Sequence, residues 1–254
     1  MQMSGSEAAS FIPVLDAALE AAGFGNVTIV CCDTMGWGSA RTWSGQLMAA
    51  GMQKYLGVIS SHGYTGEPTS PLGNTPLPVW QTEYAPDAPW CTTWYQNGGA
   101  CEGLTWANKI HTGVVNANLS AYINWQGAEV NQFQASTYLV ASDKQKVIPS
   151  GRLWAYAMWS RFVRPGARRL GTGGNLQGVG VAAFKNTDGT YAVVLTNNGG
   201  AQNAKLSFNG FTPTKAQAYL TDNSHAVELT QSSVTDGVTS VAVPGRSVVT
   251  ILIQ

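Results

Sequence analysis

At 254 residues with 44% hydrophobic content, the chain is long enough for one large domain, or one large and one small, around a substantial core. Lys plus Arg balances Asp plus Glu at 14 each and only 11% of residues are charged, so nothing draws it to nucleic-acid phosphates or acidic membranes. Gly, Asn, Ser, Thr and nine Trp stand in place of charge, a bias shared by lectins, secreted hydrolases and plain β-rich proteins.

The opening MQMSGSEAAS is polar and has no signal-peptide pattern, and no apolar run reaches the roughly 18 residues of a membrane span. The expectation is a cytosolic chain, or one whose true beginning lies upstream. Ser6 to Ala22 reads as a helix, with Ser4 or Ser6 as cap, Phe11, Leu15, Ala18 and Leu19 at helical spacing, and Gly23 and Gly25 as its stop. Val27 to Cys32, VTIVCC, is the first strand. Cys31 and Cys32 are neighbours in it, so they are expected on opposite faces as core residues.

Ser44 to Lys54 is a weaker helix broken by Gly51, and Tyr55 to Ser60 is the second strand. Residues 61 to 77 form a Gly-, Pro-, Ser- and Thr-rich loop. In the next stretch, LPVWQTEYAP, Leu77, Val79 and Trp80 read as a short buried strand that stops at Gln81-Thr82-Glu83. Glu83 thus sits at a strand tip, where a parallel barrel places a reacting group; a loop carboxylate or ion-pair partner is the plainer reading. A Trp-rich loop follows, and Cys91 and Cys101 flank it either as a disulfide or as free thiols.

Leu104 to Asn118 is a helix with Trp106, Ile110 and Val114 on one face, and Leu119 to Trp125 carries the fourth strand. Four short apolar strands separated by helix or long loop argue for parallel βα units. After a polar loop at 126–150, Arg152 to Val163 is the strongest amphipathic helix, closed by Arg164-Pro165-Gly166. Beyond it the character changes. No Trp follows Trp159, and turn signals recur at about eight to twelve residues between about seven strand-like runs, the pattern of an antiparallel sandwich. The expected division is 1–165 for the α/β part and 166–254 for a β-sandwich companion, with function before residue 165. Asn26 and Asn118 head glycosylation sequons, meaningful only in a secreted chain.

The four expected strand ends share a chemistry. They offer Asp33, Thr34 and Trp37; Ser61, His62 and Tyr64; Glu83 and Tyr84; Trp125 and Gln126. Seven of the nine Trp fall between residues 37 and 125, with Trp90 and Trp94 in the loop after Glu83, as a sugar-stacking cleft requires. Some, such as Trp80 and Trp106, are expected to fill the core.

Read in order, CCDTMGW, GVISSHGYTG, LPVWQTEYA, GGACEGLTWANKIHTG, SAYINWQGA and VIPSGRLWAYAMWSRFVRPGARR resemble the carboxyl-terminal half of glycoside hydrolase family 30, closest to its fungal xylanase branch. The resemblance implies strands five to eight of a (β/α)8 TIM barrel followed by an antiparallel β-sandwich, and a retaining reaction on a cell-wall polysaccharide, with an extracellular parent protein. It assigns Glu83 as nucleophile and His62, Tyr64 and Trp125 as groups near the sugar; Trp37, Tyr84, Trp90 and Trp94 join them as candidate substrate contacts. No cofactor or metal is expected, and the partner is a poly- or oligosaccharide.

The family's acid/base lies in an Asn-Glu-Pro motif that this sequence does not contain, and Asp33, Glu67, Glu102 and Glu129 substitute poorly for it. The expectation is a truncated chain, weakly active or inactive, whose half-barrel edges invite self-association. Endo-β-1,4-xylanase is the leading activity. Because the loop after the fourth strand offers Lys144 and Lys146 but no Arg to hold a glucuronate, endo-β-1,6-galactanase and glucosylceramidase-like activities stay open. So do a non-catalytic carbohydrate-binding protein and a plain α/β plus β protein whose aromatic side chains serve packing alone.

Overall fold

A computed structural model describes residues 3–130 and 136–254, so residues 131–135 of the expected polar loop lie outside the described residues. The chain forms two compact units, one of residues up to Ala85 with Thr112–Trp125, the other of Pro86–His111 with Gln126–Gln254.

The first unit holds a parallel sheet ordered β1 (Ile29–Thr34), β2 (Leu56–His62), β3 (Val79–Glu83) and β4 (Ala121–Tyr122). Strand order equals chain order, so each connection advances the sheet by one strand. Ahead of β1 lies α1 (Gly5–Ala21), and α2 (Trp37–Ala49) crosses from β1 to β2. A capping box starts α1: Ser4 Oγ accepts from Glu7 N–H at 3.2 Å, and Glu7 Oε2 accepts from Ser4 N–H at 2.6 Å. Its Ala8 and Ile12 enter a core with Ile29, Cys31, Leu47 and Ile59.

Three expectations change here. Phe11, placed by spacing on the buried face of α1, is 53% exposed, because the core-facing stripe runs through Ala8 and Ile12. The second helix begins at Trp37, since its buried Trp37, Ala40, Ser44 and Leu47 form one helical stripe that reaches back to the first turn. Cys31 and Cys32, expected on opposite faces, are bonded to each other.

The second unit contains α3 (Gly103–His111), α4 (Gly151–Ser160) and a small sheet of β5 (Ala128–Val130), β6 (Val140–Ser142) and β7 (Val147–Pro149) within the stretch expected as loop. Its antiparallel part has nine strands: β8 (Arg168–Leu170), β9 (Val179–Lys185), β10 (Tyr191–Asn197), β11 (Gln202–Leu206), β12 (Ala216–Thr221), β13 (Glu228–Thr230), β14 (Ser232–Thr235), β15 (Val238–Val243) and β16 (Ser247–Ile253). Six of them form the sheet β13-β12-β16-β10-β9-β8, and three form β11-β15-β14. A parallel α/β part followed by antiparallel sheets is the expected fold class. No helix among the described residues is long and apolar enough to cross a membrane.

The Trp-rich loop is tied twice. Cys91 and Cys101 are bonded, with Cα atoms 5.9 Å apart. Glu102, only 4% exposed, accepts backbone N–H groups of Gln96, Asn97 and Gly98 at 2.9, 3.1 and 3.0 Å. Burial raises the Glu102 pKa, but the N–H donors of Gln96, Asn97, Gly99 and Gly98 together outweigh it, and the net shift is downward. A lowered folded-state pKa contributes stability above the unfolded carboxyl's value of about 4.3, lost as pH falls through the folded value. Glu102→Ala therefore costs about 2–3 kcal/mol at neutral pH. Urea unfolding should show that difference shrinking in acid; a pH-independent difference contradicts the assignment.

Candidate active site

Parallel pairing brings the strand ends level. Between β2 and β3 the register runs Ser60 to Trp80 and Ser61 to Gln81, then shifts so that His62 faces Glu83. Beneath these tips lies a hydroxyl layer. Thr34 Oγ1 and Ser61 Oγ are 2.8 Å apart, Asp33 N–H donates to Ser60 Oγ at 3.2 Å, and Thr82 Oγ1 donates to Asp33 Oδ1. Asp33 holds a φ of 51°, the left-handed region a non-glycine residue seldom occupies. Gln81, fully buried in mid-strand, accepts from Trp37 Nε1 at 3.0 Å.

Above that layer Glu83 presents a carboxylate whose side chain is 24% exposed. Tyr64 O–H donates to its Oε1 at 2.8 Å, and His62 Nε2 stands 3.7 Å from its Oε2 and 3.9 Å from Asp33 Oδ1. The rings interlock. His62 and Tyr64 meet edge to face at 5.8 Å, as do Tyr64 and Tyr84. Tyr84 lies against Gly63, where a Cβ would come within 2.6 Å of the ring, so only glycine admits it. Its O–H donates to Glu67 Oε1 at 2.8 Å. Burial first, then the hydrogen bond and charge of Glu83, push the Tyr64 phenol upward; burial and Glu67 do the same for Tyr84. Both phenols are therefore donors at neutral pH.

Glu83, His62, Tyr64 and Tyr84 thus come together, and Trp125, 45% exposed, adjoins them by donating its backbone N–H to Tyr84 O at 3.0 Å. Trp37 is 5% exposed and lies in the core of the first unit, where it bonds Gln81. Trp90 is half-buried in the second unit, where Trp94 is 4% exposed and donates Nε1–H to Arg246 O at 2.7 Å. Sequence reading passed over Gln81 and the Tyr84 to Glu67 bond. A polar residue interrupting the apolar run of β3 was the available signal for Gln81. No group of three His, Cys, Asp or Glu among the described residues could hold a metal ion.

A partly exposed carboxylate at a strand tip, with one oxygen held by a phenol and aromatic rings alongside, suits attack on a neutral, ring-shaped electrophile. Known proteins share this fold. A profile of the glycosyl hydrolase family 30 beta sandwich domain matches residues 166–251. The catalytic domain of family 30 xylanase C from Talaromyces cellulolyticus superposes on all of the chain with a TM-score of 0.94 at 44% identity. The chain belongs to glycoside hydrolase family 30. It spans 58% of that xylanase domain's length. A subfamily 8 xylanase from Clostridium acetobutylicum and an endoxylanase from Clostridium papyrosolvens share the fold, each over all of this chain and 61% of their own, with TM-scores of 0.79 and 0.77 at 17% and 19% identity. In this family 30 chain the carboxylate, its phenol donor and its imidazole neighbour all come from β2, β3 and the turn after β2.

Proposed function

We propose that the chain is the nucleophile-bearing half of a retaining glycoside hydrolase acting on plant or fungal cell-wall polysaccharide, with endo-β-1,4-xylan as the substrate class. The observation that carries this reading is the Glu83 carboxylate, partly exposed at the end of β3 with Tyr64 on one oxygen and His62 3.7 Å from the other. Glu83 attacks the anomeric carbon to form a glycosyl ester, and Tyr64 orients the carboxylate for that attack. Trp125 offers a ring face for the sugar. Trp90 and Trp94 belong to the second unit and carry no part of this proposal.

Departure of an unactivated leaving group needs a second carboxyl about 5–5.5 Å from the nucleophile. The sequence contains no Asn-Glu-Pro to supply it. Asp33 is engaged by Thr82, and Glu67 by Tyr84. Turnover of xylan by this chain alone is therefore expected at background. The Cys31–Cys32 and Cys91–Cys101 bonds suit an oxidising compartment, and we infer an extracellular parent protein.

The test is incubation with 2-fluoro xylobiosyl and galactosyl fluorides, which leave without acid assistance. The expected result is one added xylobiosyl group per chain, mapped to the peptide bearing Glu83, with the galacto reagent slower. A label elsewhere, or xylan turnover above that of Glu83→Gln, overturns the reading; faster galacto labelling shifts the substrate to the galactanase class. The exposed Trp125 ring also suits a non-catalytic carbohydrate-binding protein. Glycan affinity unaffected by Glu83→Ala, with no label on Glu83, would select that binding role.

A further inference from the structure

The turn leading into β1 carries a motif that the active site leaves unused. In Phe24-Gly25-Asn26-Val27-Thr28 an N-glycosylation sequon follows an aromatic residue at a spacing of two. All five residues are exposed, Phe24 by 55% and Val27 by 51%. A single exposed apolar side chain is ordinary on a protein surface, so the placement of Phe24 matters more than its exposure.

The backbone fixes that placement. α1 ends in a Schellman motif: Gly23 is left-handed at a φ of 81°, its N–H donates to Glu20 O at 3.0 Å, and Phe24 N–H donates to Leu19 O at 2.8 Å. Phe24 O then accepts from Val27 N–H at 2.9 Å, closing a turn with Gly25 and Asn26 at its centre. Both backbone polar groups of Phe24 are therefore engaged, and two chain steps put the Asn26 Cα within about 7.6 Å of its own. A sugar joined to Asn26 Nδ2 starts beside a ring already held in place. The C–H face of a pyranose stacks on such a ring, and preorganisation lowers the entropy cost of doing so. The other sequon, Asn118-Leu-Ser, has no aromatic platform: Asn116 stands two residues before it, and the following Leu119 is 5% exposed. Asn26 also precedes Ile29 at the amino end of β1, whereas Glu83 closes β3 at its carboxyl end, and the strands are parallel. A glycan on Asn26 thus leaves the strand tips around Glu83 open.

We propose that Asn26 carries an N-linked glycan whose first N-acetylglucosamine stacks on Phe24. In the attachment step, Asn26 Nδ2 attacks the anomeric carbon of a polyprenyl-diphosphate-linked oligosaccharide. The new N–C bond forms as the C–O bond to diphosphate breaks; the lipid diphosphate leaves with the electron pair, and a base of the transferase takes one Nδ2 proton. The modification rests on the extracellular route inferred above and is independent of the role proposed for Glu83.

The test expresses the full chain behind a cleavable secretion leader in a eukaryotic host, with Ser120→Ala removing the other sequon. Attachment occurs on the nascent chain, so peptide mass spectrometry is run on secreted and retained protein together; Asn26 should be glycosylated in most chains. After an endoglycosidase trims the glycan to its first N-acetylglucosamine, the ring protons of that sugar should resonate upfield of the free sugar. The Tm should exceed that of Asn26→Gln by about 2–4 °C. Phe24→Leu, at an exposed position, keeps the attachment and should lose both effects. The proposal is overturned if Asn26 is bare in most chains, if the sugar protons show no upfield shift, or if Phe24→Leu leaves that shift in place. The leader supplies the secretory route, so a bare Asn26 counts against the site itself. Labelling of Glu83 and xylan turnover form no part of the readout, which keeps failure of the hydrolase reading separable.

Discussion

Glu83→Gln eliminates covalent capture of the activated xylobioside, slowing it by on the order of 10⁴-fold or more, while the unfolding midpoint stays within about 0.5 kcal/mol of the parent. The amide keeps the shape of the carboxylate and can still accept from Tyr64, whose O–H lies 2.8 Å from Oε1. It has no anionic oxygen to form the ester. Because fluoride departs unaided, the reaction reports the nucleophile without a second carboxyl, and in this chain, which contains no Asn-Glu-Pro, the ester should also persist. Tyr64→Phe separates orientation from chemistry. It removes the phenol donor and keeps the ring that meets His62 and Tyr84, so labelling should slow by about tenfold without loss of stability. Intact-mass time courses of the three chains decide it. Equal labelling of Glu83→Gln would mean that another group forms the bond.

The sequence revealed the parallel order because each strand carries its own signal. VTIVCC, YLGVIS and LPVW are short β-branched or aromatic runs, and the positions that follow them became His62, Tyr64 and Glu83, with His62 level with Glu83 once the strands paired. The elements it hid are those whose pairing is not apolar. β8 is Arg168-Arg169-Leu170 and β14 is Ser232–Thr235, edge strands that display charges or hydroxyls. The Cys31–Cys32 bond was invisible because strand alternation sends neighbouring side chains to opposite faces. Tyr84 and Glu67 are joined across a loop that helical or strand periodicity cannot place. Phe11 shows the opposite limit: spacing found an apolar stripe on α1, but spacing does not say which of two stripes a neighbour covers.

Ile251→Ala destabilises the second unit by about 3–4 kcal/mol, against about 1 kcal/mol for Ile251→Val. The reason is the place of β16 in the six-stranded sheet, between β12 and β10, where Ile251 sits opposite Ala218 on one side and Val193 on the other. The strand is buried on both faces. Val249, Ile251 and Ile253 join a core with Ala204, Val241 and Val243 of the three-stranded sheet, whereas Thr250, on the opposite face, donates its hydroxyl to Met158 O of α4 at 2.8 Å. A continuous run such as SVVTILI is what a strand between two layers requires. At 0% exposure, with neighbours pinned by ladder bonds on both sides, the site cannot collapse around a smaller side chain, so the cavity adds to the lost transfer energy. Urea unfolding followed by exchange of the β10 and β16 amides measures the effect in this unit. A loss below about 1 kcal/mol for the alanine variant would show that β16 is not clamped between the three-stranded sheet and α4.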